Sequence, residues 1–576
     1  MAKKKPNWDK TKLDTWLDGN ENLLLPNGEE VAIRMYGQGL GDCFLLAFPH
    51  PASAKGVYHV VIDCGVVQGT PDPAERMRKV VTGLHTATGG AIDLLVVTHQ
   101  HWDHVNGFLL AEDLWANFAV ETVWLAWTEG GRPELEAARR LLDASRKQQE
   151  QAVRLAAQRA VRHGLHDDMG GVLGMAAFLG AAESSDGEES KTDKAMEIVK
   201  QFKKQDANPS AIEFCEPGEV RPLPGLSVDV YVLGPPTDYA DLKKTAPGNA
   251  DGYHWQTGRD PNGSPIPHSA RKTESPAKER AFDGQLALRR ETQSLTQFNA
   301  FASGIGSSLS FAASRDAADL RDRSYPFDRT RRVAWNTAET EAVTEAKPAQ
   351  QARHPALNSY FDPVNKWRRI DFDWLGVAEN FAIKADSLTN NTSLVLAFEL
   401  PKKSDAEAES LRRVLLFVGD AQAGNWLSWD KITAWNKHDS ANPSQAKPDM
   451  DDLLGRVIFY KVGHHGSHNA TLQAQGIDRM ATKSGELTAF LPVSYPIAHL
   501  VWRWCEMPFE PICDALMERP KGRVFTPLGL LSKTPGSVVQ NDHLLSALKL
   551  PAKVRASDKT VLEGETPLWV QVSLPY

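Results

Sequence analysis

The chain has 576 residues, 41% of them hydrophobic and 24% charged, enough to bury the cores of more than one domain of ordinary size. Its formal net charge of −8 excludes a general attraction to nucleic acids or anionic membranes, so a polyanion would have to meet a local patch or bound cations. The five cysteines form no C-x-x-C pair, which indicates reduced core residues. The basic N-terminus precedes no apolar segment, and no run approaches the roughly 18 apolar residues of a membrane span. We therefore expect a cytoplasmic protein.

The first predicted strands lead to an acidic residue. Residues 30–36 alternate like a half-buried strand, and residues 43–48 return as its hairpin partner after a glycine-rich turn. A third strand, residues 58–62, ends at Asp63. An acidic side chain at the end of a strand commonly orients metal ligands through hydrogen bonds, so we expect this role for Asp63, with a simple turn residue as the alternative.

The strongest motif follows the apolar run 94–97, which predicts a buried strand. It reads H-x-H-x-D-H and supplies His99, His101, Asp103 and His104. In an extended backbone His99 and His101 point the same way, whereas Asp103 and His104 can turn towards a second centre. Imidazoles with a carboxylate suit zinc, manganese or iron. The motif therefore predicts two adjacent metal sites; the alternative is a solvated polar loop.

The middle of the chain is less regular. A strand is predicted over 120–126, helices over about 133–161, 172–182 and 192–204, and strands again over 212–234. From about 237 to 385 the periodicity fades, which indicates an insertion that is partly irregular or ordered by a partner. This stretch holds the arginines that we consider for nucleic-acid binding: Arg329, Arg331, Arg332 and Arg368. Arginines near aromatic rings can grip a single strand, but ordinary surface charge explains them equally well.

Two further strand ends carry polar residues. The strand predicted over 414–418 leads to Gly419 and Asp420, and in a chain with the histidine motif Asp420 is the expected carboxylate bridging two metals. The strand predicted over 457–462 leads to His464, His465 and His468. His468 is placed to support the ligands or to protonate a leaving group.

With its H-x-H-x-D-H motif after a strand, the sequence resembles the metallo-β-lactamase superfamily, whose members share this motif. The Gly-Asp-Cys hairpin at 41–43, the Ile-Asp-Cys-Gly strand end at 62–65 and the His-His-Gly-Ser stretch at 464–467 resemble the soluble hydrolase (nuclease) domain of ComEC-type DNA-uptake proteins. The resemblance implies an α/β fold, the αββα sandwich of two similar halves, with the metal site along one edge. The halves would be residues 1–236 and 386–576, separated by the insertion 237–385. The membrane channel of those proteins is missing, so transport is not implied.

The resemblance also assigns residues. By its position relative to the serine, His465 matches the terminal ligand of the superfamily, with His464 as the fallback. Asn390 opens the Asn-x-x-Ser-Leu-Val-Leu pattern that replaces a further histidine in the ComEC-like group, so it is either a weak ligand or a turn residue. Relatives often carry Gly-His-Pro where this chain has Glu-Met-Pro at 506–508, and a substrate contact made by that histidine would be absent.

From these features we expect a metal-dependent phosphodiesterase, foremost a DNA nuclease, in which two zinc or manganese ions activate hydroxide and Asp103 and His468 are catalytic. A soluble protein with a large insertion fits an antiphage defence effector that is held in check by a protein partner bound to the insertion. One alternative is a hydrolase of small esters, lactones or phosphoesters, which the acidic net charge favours slightly. The other is a regulatory module that uses the site as a sensor.

Overall fold

The computed structural model describes residues 23–67, 70–131, 133–147, 191–244, 388–402, 411–433, 435–437, 448–494, 497–498, 507–527, 529–530, 554–556 and 567–576. The chain separates into two compact units, Met1–Ile266 with Ala382–Tyr576 and, separately, Pro267–Phe381. Every described residue belongs to the first unit. Beyond residue 244, the predicted insertion lies outside the described residues until position 388, and so do the four candidate arginines, Arg329, Arg331, Arg332 and Arg368.

The described strands form two mixed sheets. In chain order they are β1 Glu30–Tyr36, β2 Phe44–Pro49, β3 Val57–Ile62, β4 Ala91–Val97, β5 Ala119–Ala126, β6 Ala211–Cys215, β7 Glu219–Pro222, β8 Asp229–Gly234, β9 Val395–Glu399, β10 Val414–Phe417, β11 Asn436–Lys437, β12 Val457–Lys461, β13 Thr488–Phe490, β14 Arg523–Thr526, β15 Gly529–Leu530, β16 Val554–Ala556 and β17 Trp569–Pro575. The first sheet has the order β16-β17-β1-β2-β3-β4-β5-β6, and the second β11-β7-β8-β9-β10-β12-β13-β14-β15.

The α-helices with both ends described are α1 Pro73–Thr88, α2 Trp102–Leu110, α3 Glu112–Trp115, α4 Lys191–Lys200, α5 Tyr239–Leu242, α6 Ala423–Ser428, α7 Met450–Gly455 and α8 Glu510–Glu518. Residues 136–147 are also helical, which agrees with the start of the helix predicted from 133; the predicted helix over 172–182 lies outside the described ranges. In the described part of the chain no helix is long and apolar enough to cross a membrane.

Both sheets are buried on both faces, which explains their long apolar runs. In β1, Val31, Ile33 and Met35 point into the core between the two sheets, where they join residues of β9 and β10. Ala32 and Tyr36 point the other way, into a core shared with α1, α2 and α4. A third core lies between the second sheet and α6, α7 and α8. The order is therefore helices, sheet, sheet, helices, and the general α/β class is as predicted.

The sequence halves do not correspond to one sheet each. β7 and β8, which precede residue 236, belong to the second sheet, whereas β16 and β17 at the C-terminus return to the first. β17 pairs with β1 along its whole length in antiparallel register, from Glu30 opposite Pro575 to Tyr36 opposite Trp569. This long-range pairing places β17 between β1 and the edge strand β16 in the first sheet.

Parallel strands in the middle of each sheet determine where the functional residues meet. β3, β4 and β5 are parallel neighbours in the first sheet, and β10, β12 and β13 in the second. Their carboxyl ends carry Asp63, the segment 98–104, Asp420 and the segment 463–468. The backbone N–H of Leu394 donates to the carbonyl of Thr98 at 2.8 Å and so joins the two sheets at this edge.

Candidate metal centre

Four buried side chains from separate parts of the chain converge at this edge. Asp42, His104, Asp420 and His465 each offer one ligand atom, and these atoms all lie within 4.8 Å of one another. Asp42 comes from the β1–β2 turn, His104 from the start of α2, and Asp420 and His465 from the segments after β10 and β12. Such a group is the kind that holds a divalent cation.

The proton on His104 is located by its neighbours. Its Nδ1 lies 2.8 Å from Oδ2 of Asp63, a carboxylate that only accepts, so Nδ1 donates. Its Nε2 lies 3.0 Å from Oδ2 of Asp420 and 3.6 Å from Oδ2 of Asp103. The neutral ring therefore presents a lone pair to two carboxylates. That arrangement is stable only if a proton or a metal ion lies between them.

His465 repeats this arrangement from the other sheet. Its Nδ1 donates to the backbone carbonyl of Pro492 at 2.7 Å, and its Nε2 lies 2.9 Å from Oδ2 of Asp103. Oδ1 of Asp103 is buried and has no hydrogen-bond partner among the described residues. Oδ2 of Asp103 thus lies 3.6 Å from Nε2 of His104 and 2.9 Å from Nε2 of His465, beside the four side chains that could hold an ion.

His99 and His101 lie beside this position. Nδ1 of His99 is 3.1 Å from Oγ1 of Thr98, which itself donates to Asp63, so His99 turns its Nε2 lone pair away from Thr98. That Nε2 is buried and lacks a hydrogen-bond partner in the described part of the chain. The ring centroids of His99 and His101 are 4.7 Å apart, and burial lowers the pKa of His101 to about 3. Both imidazoles are thus neutral at pH 7, the form that binds metals.

Asp63 contacts His104 directly and His99 through the hydroxyl of Thr98. Its Oδ1 accepts from the backbone N–H of Thr98 at 2.7 Å, and its Oδ2 accepts from Oγ1 of Thr98 at 2.7 Å and from Nδ1 of His104 at 2.8 Å. Its backbone is left-handed, with φ of 56°. Asp63 therefore binds His104 directly and His99 through Thr98, contacts that an acidic residue orienting metal ligands would make.

Asp420 has one oxygen already engaged. Its Oδ1 accepts from Nζ of Lys461 at 3.1 Å and from the backbone N–H of His464 at 3.0 Å. The Lys461 ammonium also donates to the carbonyl of Gly419 at 2.6 Å and forms an ion pair with Asp42. Oδ2 of Asp420 lies 3.0 Å from Nε2 of His104, so this oxygen is the one that could contact a cation.

The charge balance favours cations. Among the described residues, the buried carboxylates of the cluster belong to Asp42, Asp63, Asp103 and Asp420, and the buried ammonium that pairs with Asp42 and Asp420 is that of Lys461. Burial opposes the charged form of His104, but the carboxylates, Asp420 foremost, outweigh it and raise the pKa of His104 well above its ordinary value. Burying a charged group without a counter-charge costs on the order of several kcal/mol of folding free energy. Bound cations or protons would offset this cost. The donors present therefore fit divalent metal ions.

The second histidine loop is built on unusual backbone. His464 and His465 have φ of 41° and 53°, a conformation that non-glycine residues rarely adopt, least of all in succession. Burial lowers the pKa of His464 to about 4. The segment 507–509 lies against this loop, because the N–H of Phe509 donates to the carbonyl of Gly466 at 2.8 Å.

Two further predicted site residues, Asn390 and His468, are not among the four side chains that could hold an ion. Asn390 is buried in the turn before β9, where its carbonyl accepts from the N–H of Ser393, whose Oγ accepts from the N–H of Asp420 at 3.0 Å. His468 is half-buried with its ring centroid 6.0 Å from that of Phe509, and burial lowers the pKa of His468. Its predicted role in supporting the ligands or protonating a leaving group stays a prediction.

Sequence reasoning missed three residues that the structure brings into the cluster: Asp42, Thr98 and Lys461. Lys461 had a signal, because a lysine inside the apolar run 457–462 must find buried carboxylates if that run is a strand. Asp42 had a weaker one, an acidic residue after a glycine-rich turn that leads into a buried strand. Thr98 had none beyond its place next to His99. The four described cysteines, Cys43, Cys64, Cys215 and Cys513, are buried and free, as predicted.

Comparisons with models of protein families, with curated proteins and with solved structures returned no match to this chain. The site is accordingly defined by its own geometry: a buried group of imidazoles and carboxylates at the edge where two mixed sheets meet.

Proposed function

We propose that the protein is a metal-dependent hydrolase of the metallo-β-lactamase type, and that it cleaves phosphodiester bonds, foremost those of DNA. One observation carries the proposal. His104 and His465 both donate through Nδ1 to fixed acceptors, so both direct Nε2 lone pairs at the carboxylates of Asp103 and Asp420. This is the donor pattern of a site for divalent ions in which a carboxylate is shared.

The layering of helices on two packed sheets, with donors at the carboxyl ends of parallel strands, supports the αββα sandwich. The choice of a phosphodiester as substrate comes from the ComEC-like motifs and from the arginine-rich stretch outside the described residues. A soluble nuclease with an insertion between its two halves would suit a defence effector that a partner protein restrains. The substrate and the biological setting are thus proposals drawn from motifs, whereas the metal proposal is drawn from contacts.

Two divalent ions, zinc or manganese, would supply Lewis-acid activation of water and neutralise charge on the attacked phosphate. The residues of the chain prepare the site for them. Asp63 and Thr98 fix the proton positions on His99 and His104, and Lys461 holds one oxygen of Asp420 so that the other faces the cluster. Because these groups are buried and already hydrogen-bonded, little reorganisation is needed when ions and substrate bind.

The test is incubation of the purified full chain with end-labelled single- and double-stranded DNA in manganese, zinc or EDTA. The informative variant is Asp420→Asn, which keeps the size of the side chain and an oxygen for Lys461 but removes the charge facing His104. Removing a group behind the ligands already costs about 10–100-fold, so we expect a loss of at least about 100-fold. Asp113→Asn, at an exposed residue paired with Arg78, is the matched control and should cleave normally.

Metal-dependent cleavage that disappears in Asp420→Asn but not in Asp113→Asn would support the nuclease. Parallel reactions contain bis(p-nitrophenyl) phosphate and p-nitrophenyl acetate. Intact DNA with hydrolysis of either small ester would replace the nuclease by a small-molecule hydrolase, the class that the net charge of −8 favours. Stoichiometric metal binding without hydrolysis of any probe would contradict both and leave a sensor.

A further inference from the structure

Two segments flank the part of the predicted insertion that lies outside the described ranges, residues 238–244 before it and residues 388–391 after it. We call them together the base of the insertion. They are in contact, because Leu242 and Leu388 are buried in the same hydrophobic cluster. The described chain therefore leaves for the insertion and returns from it at one place.

Asn391 ties the two segments of the base together. Its Nδ2 donates to the carbonyl of Leu242 at 3.0 Å and to that of Lys244 at 2.8 Å, and its Oδ1 accepts from the backbone N–H of Asn425 at 3.1 Å. Carbonyl oxygens only accept and a backbone N–H only donates, so these partners fix the orientation of the amide. The side chain is buried with all three bonds made, and breaking them without water to replace them is costly.

The turn that contains Asn391 also holds the segment of Asp420. Oγ of Ser393 accepts from the backbone N–H of Asp420 at 3.0 Å. Nδ2 of Asn425 donates to the carbonyl of Asn391 at 3.1 Å and to that of Ser393 at 2.9 Å. The residue that binds the backbone of the proposed shared carboxylate is thus only two positions from the residue that ties the base together.

The same turn meets the first sheet, which supplies the histidines of the H-x-H-x-D-H motif. The backbone N–H of Leu394 donates to the carbonyl of Thr98 at 2.8 Å. A Cβ built on Gly419 would lie 3.0 Å from the Cβ atoms of both Ser393 and Thr98, so the segments are closely packed here. A shift of the turn is therefore passed on to residues 98 and 420, because there is no free space to absorb it.

Helix α6, which begins three residues after Asp420, packs directly against the base. The backbone N–H of Gly424 in this helix donates to the carbonyl of Lys244 at 3.0 Å. A Cβ at Gly424 would overlap the carbonyl oxygen of Asp241 and lie 2.9 Å from Nδ2 of Asn391, so the close approach requires glycine. The base therefore contacts the segment of Asp420 by two routes, one through the turn and one through α6.

We propose that Asn391 is a positioning residue of the metal centre, which couples the base of the insertion to the position of Asp420. This deepens the proposed function and rests on it for the presence of a divalent ion at Asp420. Displacement of the base then weakens metal binding, and metal binding holds the base in place, since coupling between two sites is reciprocal. A protein partner bound to the insertion would in this way act on the metal centre without touching it.

Two substitutions displace the base without changing a proposed ligand. Gly424→Ala adds a methyl group that overlaps the carbonyl of Asp241, and Asn391→Asp places an oxygen opposite the two carbonyls that the amide nitrogen serves. We expect each to weaken zinc binding by about tenfold in competition with a chromophoric chelator, as loss of a group that supports metal ligands does. The negative charge of Asn391→Asp would by itself attract a cation, so weaker binding reports the displacement.

The matched controls make the same chemical changes away from the site. In Gly28→Ala the added Cβ meets no atom within 4 Å. In Asn117→Asp an exposed amide nitrogen is lost that donates to the carbonyls of Asp113 at 3.1 Å and Leu114 at 3.3 Å. Both controls should keep the zinc affinity of the wild-type chain. If Gly424→Ala fails to fold, Asn391→Asp and its control carry the test.

Hydrogen exchange measures the coupling without a substrate. In the wild-type full chain the amide hydrogens of residues 239–244 should exchange at least about fivefold more slowly with zinc bound than in EDTA. In Gly424→Ala the two rates should be nearly equal, because the base is already displaced. Helix α7, residues 450–455, is the reference and should exchange equally in both states. A base that only stabilises the fold would not respond to the ion.

Wild-type zinc affinity in either folded variant would overturn the proposal, and so would equal exchange of residues 239–244 with and without zinc. These outcomes are distinct from failure of the proposed function. If the coupling is measured but no probe is hydrolysed, the coupling stands and the nuclease does not. If DNA is cleaved and both variants bind zinc as the wild-type chain does, the nuclease stands and the coupling does not. If the wild-type chain binds no divalent ion, both are wrong.

Discussion

Asp63→Asn tests whether the hydrogen bonds behind the histidines prepare them for metal. Oδ1 of Asp63 accepts from the N–H of Thr98, and Oδ2 accepts from both Oγ1 of Thr98 and Nδ1 of His104, all within 2.8 Å. An asparagine has one accepting oxygen, so it cannot serve both sets of donors. Asparagine tolerates the left-handed backbone of this position, where φ is 56°, and the change therefore acts through hydrogen bonding.

The size of the effect follows from which partner is lost. If the amide nitrogen faces His104, the ring must move its proton to Nε2, the atom that lies 3.0 Å from Asp420. Loss of such an orienting partner weakens metal binding by about 10–100-fold, or about 1.4–2.7 kcal/mol. If the amide nitrogen faces the N–H of Thr98 instead, a buried donor loses its acceptor, which costs about 1–3 kcal/mol of folding stability.

The assay is competition for zinc and manganese between the protein and a chromophoric chelator, beside urea unfolding of the EDTA-treated protein. The matched control is Asp93→Asn, because Oδ2 of Asp93 accepts from the backbone N–H of His59 at 2.8 Å, in the same sheet and away from the cluster. We expect Asp93→Asn to lose stability but to keep its metal affinity. Wild-type affinity in Asp63→Asn, or equal losses in both variants, would refute the reasoning.

Two further predictions test the packing of the site and the titration of the core. Gly65→Ala should lower the free energy of unfolding, measured in urea, by about 3 kcal/mol and weaken metal binding, because the added Cβ would overlap the backbone of Asp103. In Gly28→Ala the added Cβ meets no atom within 4 Å, so stability and metal binding should not change. Burial lowers the pKa of His59 to about 4, below its unfolded value of 6.5, so the folded chain resists protonation. The unfolded chain binds the proton first, and stability should therefore fall by about 3 kcal/mol as the pH drops from 6.5 to 4. His59→Gln should lack that part of the slope in urea titrations, and an unchanged slope would contradict the assignment.

The strands that carry the candidate site could be predicted, because each is marked by a short apolar run in the sequence. The apolar runs that end at Asp63, at the H-x-H-x-D-H motif, at Asp420 and at His464 are strands β3, β4, β10 and β12, with bounds within three residues of those predicted. Since such runs are parallel neighbours in the two sheets, their polar ends meet at one edge. Period and composition within a window of eight residues carry this information.

The rest depends on contacts between distant segments. Nothing local shows that β17 pairs with β1, across more than 500 residues, or that β7 and β8 join the second sheet. Lys461 can be recognised as a buried cation from its strand, but its partners Asp42 and Asp420 become visible only when both sheets are assembled. The hydrogen bond from His465 to the carbonyl of Pro492, which supports His465 as the proposed ligand, likewise joins segments 27 residues apart and lies outside the motif.

If the proposed metal site is correct, the cluster has two states, one with protons and one with metal. Burial opposes the protonation of His104 and His465, but Asp103, Asp420 and their neighbours outweigh it and raise the pKa of both histidines. Without metal, protons on the two rings therefore offset the carboxylates, and this contribution to stability is present below the unfolded pKa and is lost as the pH rises through the folded values. In the proposed metal-bound state, His104 and His465 would hold a divalent ion in place of those protons. Because Asp63 and Pro492 accept from the Nδ1 atoms of these two rings, the rings would not need to turn when an ion replaces the protons, and we expect little reorganisation.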